Sequence, residues 1–212
     1  MNGTLEAKTS IAFLKTHKCS STTIQNILFR YAYKHKLNVV FPKEGNLIGY
    51  PDGFSEKSIE NTDWYQAHLQ PDIFCMHAKW SNFSAIRTLM GKNATYVTIL
   101  RDPIDTFVSM WDYYQLDKQF FKRKMNISEF FRLNIRPNDV TMPEISLKHV
   151  LLHDFGLPLK ASEQMVQQKI EEMERTFDLV MIVEHFDSSM VLLRNLLQWE
   201  FEDLTSLKLN AR

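Results

Sequence analysis

Cysteine is scarce in this sequence: Cys19 and Cys75 are the only two among 212 residues. Two thiols cannot make a disulfide framework and are too few for a cysteine-rich zinc site. Glycine (6) and proline (7) are also sparse, which excludes collagen-like and low-complexity material. Net charge is missing altogether, with 25 Lys+Arg against 25 Asp+Glu. A zero balance argues against a protein held to nucleic acid by bulk charge, so no nucleic-acid partner is expected, and only a local basic pocket stays open. No run of about 18 apolar residues occurs, so no segment reads as a membrane span. The opening stretch MNGTLEAKTS lacks the apolar core of a signal peptide.

What is there suits a globular fold. Hydrophobic residues make up 44% and charged residues 24%, enough core for one α/β domain or two small ones. Four triplets, Asn2-Gly3-Thr4, Asn82-Phe83-Ser84, Asn93-Ala94-Thr95 and Asn126-Ile127-Ser128, have the form of glycosylation acceptors, more than composition alone supplies.

Apolar runs alternate with helical periodicity. SIAFLK (10–15) reads as a strand that ends in the polar loop THKCSS. Ile24, Ile27, Leu28 and Tyr31 then recur at helical spacing, predicting a helix over 21–36 with Ser20, Ser21 or Thr22 as its N-cap. Leu37–Phe41 reads as a strand, and Pro42–Gln70 as a long loop with at most one helical turn. Asp72–His77 reads as a buried strand ending in histidine, followed by a helix over 83–90 and a strand over 95–100. Arg101-Asp102-Pro103 closes that strand and opens a helix, with Asp102 as N-cap, Pro103 first in the helix, and an apolar stripe of Ile104, Phe107, Val108 and Trp111. Beyond a basic, aromatic stretch (115–143) with a short helix at 128–133, helices are expected at 146–154, 162–176 and 187–199, and a strand at 178–183. There is no internal repeat and no domain boundary. The alternation implies an α/β fold: a parallel sheet flanked by helices on both faces, with ligands at the carboxyl ends of its strands.

Three polar clusters fall at those ends: Thr16–Thr23, His77 with Lys79, and Arg101 with Asp102. The first is a strand–loop–helix in which backbone N–H groups, the helix dipole, Lys15, Lys18 and several hydroxyls suit a phosphate or sulfate, although no Walker A glycines are present. The alternative is a capped helix beside two surface lysines. Cys19 at a helix start could be an activated thiol, but no partner base stands beside it. Arg101 could grip a phosphate together with Ser109 on the following helix, or pair with Asp102 or Asp105 as a structural ion pair. His77 could take a proton from an alcohol, or be plain hydrogen-bonded structure. His149 and His153 lie four apart, but without an acidic third ligand they do not make a metal site. The run Phe120 to Lys124 could bind single strands or a sugar face, or be a solvated loop.

Taken together, FLKTHKCSST, CMHAKW, VTILRDPIDTFVSMWDYY and DLVMIVEHFDSSMVLLRNLLQWE resemble the galactose-3-O-sulfotransferase family over most of the chain, from about Ile11 to Arg212. The resemblance implies a P-loop NTPase-like sulfotransferase fold, with 3′-phosphoadenosine-5′-phosphosulfate (PAPS) as sulfuryl donor, no metal, and a galactose-terminated glycolipid or glycan as acceptor. It implies a Golgi lumenal setting, with membrane contact only through an anchor outside this chain, and nothing about oligomeric state. It makes residues 1–212 a single sulfotransferase domain, incomplete at its C-terminus. By the same resemblance Lys15, Thr16, Lys18, Cys19, Ser20, Ser21, Thr22 and Thr23 form the 5′-phosphosulfate loop. Lys18 would neutralise the bridging oxygen, Arg101 and Ser109 would hold the 3′-phosphate, and His77 would be the catalytic base. The loop departs from the family string at Cys19 and Ser20, where Thr and Ala are common. The alternative is a truncated, non-catalytic relative that binds PAP (the 3′,5′-bisphosphate product) or a sulfated glycan. A P-loop nucleotide kinase is disfavoured by the missing glycines.

Overall fold

The structure is a computed structural model that describes residues 6–50, 52–81, 83–122, 124–133, 150–158 and 160–206. In chain order its elements are β1 (Ile11–Leu14), α1 (Ser21–His35), β2 (Leu47–Ile48), α2 (Asp63–Gln66), β3 (Ile73–Phe74), β4 (His77–Ala78), α3 (Phe83–Met90) and β5 (Thr95–Leu100). They continue with α4 (Pro103–Tyr113), α5 (Leu116–Phe121), α6 (Ile127–Arg132), α7 (Val150–Asp154), α8 (Glu163–Thr176), β6 (Leu179–Ile182) and α9 (Phe186–Leu197). The sequons at Asn2 and Asn82, and His149, lie outside the described residues.

Four strands pair in the order β3-β1-β5-β6, all parallel, with Ile11 opposite both Ile73 and Thr95. β1 is apolar at every position because it is buried on both faces. Its alternation divides the core. Ile11 and Phe13 pack with Val97, Ile99 and the inner faces of α1 and α9, while Ala12 and Leu14 pack with Phe74, Tyr96 and α3 on the other side. Helices therefore cover both faces, as the alternating pattern predicts. A third cluster, Met110, Trp111, Leu116, Met125, Phe130 and Val150, ties α4 to α7 together.

α1 buries Ile24, Ile27, Leu28 and Tyr31, the face its spacing predicts. α4 starts where expected: Asp102 Oδ1 accepts from the N–H of Ile104 (2.8 Å) and Asp105 (3.1 Å), and Pro103 is the first helical residue. Its stripe is turned from the predicted one. Ile104 is 69% exposed, and Thr106, Met110 and Trp111 face inward.

Three other expectations are corrected. Leu37–Phe41 is not a strand; only Val39 bridges to Ile73, because Asp72 occupies Asn38 with both its carboxylate and its N–H. Pro42–Gln70 is not a plain loop, since it holds β2, a 3-10 turn at Glu56–Ser58 and α2. Asp72–His77 is not one strand. Gln25 Nε2 donates to the carbonyl of Cys75 at 2.8 Å, which ends the ladder after Phe74. The chain then enters a separate two-stranded parallel sheet, β2 with β4, where His77 lies opposite Leu47.

Candidate functional site

The carboxyl end of β1, one of the two inner strands, opens into the loop Lys15–Ser20. Lys18 and Ser20 both adopt left-handed backbone conformations (φ 59° and 54°), which curl the main chain before α1 begins. Ser20 is the N-cap residue, yet it makes no side-chain cap, and the Ser21 hydroxyl donates back to the carbonyl of Thr16 at 2.6 Å. Side-chain capping, expected from Ser20, Ser21 or Thr22, is thus absent. Among the described residues, the N–H groups of Cys19, Ser20, Ser21 and Thr22 find no protein acceptor. Such a row at a helix start, with the helix dipole behind it, is suited to an anion.

The side chains around the loop divide by burial. Thr16 is fully buried, its hydroxyl donating to the carbonyl of Ile99 at 2.5 Å, so it anchors the loop to β5 and faces no ligand. Cys19 is also fully buried, with its thiol donating to the carbonyl of His17. Burial pushes that thiol up to about 12, the reverse of activation, and leaves only its main chain to meet a ligand. Ser20 and Thr22 are exposed and Thr23 half-buried, so their hydroxyls line the open side. Lys15 is 4% exposed, and burial lowers its pKa. Lys18 is half-buried and places its Nζ 3.5 Å from the centre of the Tyr113 ring on α4, a cation–π contact that fixes its direction.

Arg101, at the end of β5, donates from Nη1 to the carbonyl of Lys18 at 3.3 Å, and its Nε is buried with no acceptor. It makes no ion pair with Asp102 or Asp105; those carboxylates serve elsewhere or face solvent. A guanidinium held against the loop with an unused buried N–H fits an anionic group in the same place. Ser109, two turns along α4, is half-buried and makes no contact with Arg101 among the described residues.

His77 Nδ1 donates to the carbonyl of Lys15 at 2.9 Å, which leaves Nε2 as an acceptor. Burial, then the neighbouring His17 and Lys15, push its pKa down to about 2. The ring stacks on His17, with centroids 4.3 Å apart and planes 21° from parallel. His17 in turn donates from Nδ1 to Asp154 Oδ1 at 2.7 Å and from its backbone N–H to Asp154 Oδ2 at 2.8 Å. Tyr50 donates its hydroxyl to the same Oδ1 at 3.3 Å. Asp154 is fully buried at the end of α7, and its carbonyl accepts from the N–H of Trp80 at 2.9 Å. Just beyond it, Gly156 (φ 82°) lies so close to Ser81 that a Cβ would stand 2.2 Å from the Ser81 Cα.

His17, Tyr50 and Asp154 adjoin the candidate site, and the sequence reading singled out none of them individually. His17 stands inside the quoted THKCSST string, and the rule that singled out His77, a titratable residue at a strand's carboxyl end, applies to it equally. Asp154 has no local signal, because only folding brings α7 beneath the loop. Among the described residues no three His, Cys, Asp or Glu side chains gather as a metal site, and no helix is long and apolar enough to cross a membrane.

The galactose-3-O-sulfotransferase family model matches residues 3–212. The chain belongs to this family. Relatives include galactosylceramide sulfotransferase of Bos taurus, 36% identical over 216 residues, covering 99% of this chain and 50% of the relative. Galactose-3-O-sulfotransferase 2 of Mus musculus is 35% identical over 211 residues, covering 96% of this chain and 53% of the relative. Galactose-3-O-sulfotransferase 3 of Mus musculus is 36% identical over 214 residues, covering 96% and 48%. The chain thus spans about half the length of the curated relatives it matches.

Proposed function

We propose that this galactose-3-O-sulfotransferase family member transfers the sulfuryl group of PAPS to the 3-hydroxyl of galactose on a glycolipid or glycan, in the Golgi lumen. The observation that carries the reading is the row of unpaired N–H groups over Cys19–Thr22, with Lys15, Lys18 and Arg101 converging on the same loop. The loop amides would hold the 5′-phosphosulfate, and Lys18 would meet the charge that grows on the leaving phosphate as the S–O bond breaks. By analogy with phosphoryl transfer, a loose in-line displacement needs positioning and charge stabilisation more than covalent help. Arg101 would bind the 3′-phosphate through its guanidinium, with Ser109 from α4. A histidine at the end of the second sheet or in the loop would accept the proton of the attacking hydroxyl. The lumenal setting is consistent with exposed sequon asparagines at Asn93 and Asn126.

Calorimetric titration with PAP tests the donor site. Wild-type protein is expected to bind, and Arg101→Ala to bind about 10- to 100-fold more weakly, the worth of a charged hydrogen-bonding group. Lys18→Ala is expected to retain most of the PAP affinity and to lose about 100-fold or more in sulfuryl transfer to a galactoside. A folded wild type that ignores PAP would overturn the reading. PAP binding without transfer at saturating galactoside would select the non-catalytic binding module instead.

A further inference from the structure

We infer that His17, backed by Asp154, is the group that takes the acceptor's proton, and that His77 beside it orients the acceptor hydroxyl. The inference rests on the sulfotransferase reading and divides roles within its site. Both rings carry Nδ1–H, one donating to the Asp154 carboxylate and the other to the Lys15 carbonyl, so both present a bare Nε2. Neither Nε2 has a hydrogen-bond partner among the described residues, and neither belongs to the buried polar atoms left without one, so both reach the surface. The stacking keeps the two imidazoles in contact, so both stand at the same edge of the loop.

What separates the two is the partner of Nδ1. A carboxylate stabilises the imidazolium that forms when Nε2 is protonated, whereas a neutral carbonyl does so far less. Asp154 is fixed for that task by three donors: the Nδ1–H and the backbone N–H of His17, and the Tyr50 hydroxyl. Burial raises the Tyr50 phenol, so it stays a donor. His77 has no such carboxylate. It is half-buried, less so than His17, but it stands against Lys15 and His17, and every positive charge near it resists a second one. A base that stays neutral so far into acid is a weak proton acceptor at neutral pH. In the step itself, the galactose O–H proton moves to His17 Nε2 while the oxygen forms its bond to sulfur. The S–O bond to the 5′-phosphate breaks, PAP leaves with that electron pair, and the imidazolium returns its proton to solvent. The titratable groups facing His17 are Asp154, Tyr50, His77 and Lys15, with His153 and Lys79 behind Asp154 and Tyr114 beyond.

Nitrogen-15 NMR of histidine-labelled protein saturated with PAP reads which ring nitrogen of each histidine carries the proton. An Nδ1–H with a bare Nε2 is expected at both rings, and Asp154→Asn should lose the Nδ1–H signature at His17. Tyr50→Phe, a milder change that keeps the buried carboxylate, should lower kcat several-fold without disturbing the fold. In turnover, His17→Asn should cut kcat by about 100-fold or more, with PAP affinity within about twofold of wild type. His77→Asn should act mainly through the galactoside KM. An Nε2–H tautomer at His17, or a His17→Asn enzyme with kcat near wild type, would overturn the inference while leaving the sulfotransferase reading intact. Failure of the wild type to bind PAP would instead count against that reading.

Discussion

An imidazole that the fold keeps neutral weakens the protein in acid, and His77 is such a group. Its pKa falls from the ordinary histidine value to about 2 on folding, chiefly by burial. Below the unfolded value of about 6.5 the unfolded chain binds a proton that the folded chain refuses, so stability is full above that pH and falls as pH drops toward 2. The slope from this one group is at most about 1.4 kcal/mol per pH unit. Denaturant unfolding at pH 7 and pH 5 should show the loss, and His77→Gln should flatten the difference between the two. The cysteines make a second prediction at this scale. Cys19 and Cys75 are fully buried and burial raises both thiols, so neither is expected to react with iodoacetamide until the protein unfolds. Rapid alkylation of Cys19 in the native protein would show the loop to be open.

At the scale of elements, the β5–α4 junction shows how one residue can serve two neighbours. Asp102 caps α4 with its side chain, and its own N–H donates to Glu184 Oε1 at 2.9 Å, beside the end of β6. Asp102→Ala is expected to cost about 1 kcal/mol in denaturant unfolding. Because Arg101 is the preceding residue, PAP affinity should fall as well. Gly156 is the other sensitive joint. Gly156→Ala combines a left-handed backbone with a collision against the Ser81 main chain, so it should destabilise by more than about 1 kcal/mol and displace Asp154 from His17.

These junctions also show what the sequence could tell. The β5–α4 turn was legible to the residue because Asp102 and Pro103 are local instructions, as were α3 and β5 in their full extents. The division of 72–77 between two sheets was not, because it depends on Gln25 reaching the carbonyl of Cys75 from fifty positions away. Ile104 was misplaced for a related reason. Periodicity gives a helix a face, but neighbours decide which face is covered, and in α4 the cluster around Met110 and Phe130 draws the helix round. Of the candidate site, the strand–loop–helix at Thr16–Thr23 and the place of Arg101 at the end of β5 could be read from the string, whereas the Asp154–His17 pairing could not.

At the scale of the molecule, β1 is the keystone of the sheet, paired on both edges and packed on both faces. Phe13→Ala is expected to destabilise by about 3–5 kcal/mol, with the thermal midpoint falling accordingly. Hydrogen exchange should be slowest at β1 and β5. It should be faster in α5 and α6, which pack in the smaller cluster around Trp111 and Phe130 away from the sheet. Equal protection in α5 and β1 would mean that the small cluster and the sheet open as one unit.

The bond from the His17 backbone to Asp154 spans 137 positions of sequence. A ribosome adding about 5–20 residues per second needs on the order of 7–27 seconds to cover that interval. Throughout it the loop and β1 exist without the carboxylate that holds the loop, and β5 joins β1 only as it too emerges. The loop's anchorage is therefore completed late in synthesis, and the nascent segment around it must be kept from other partners until α7 arrives.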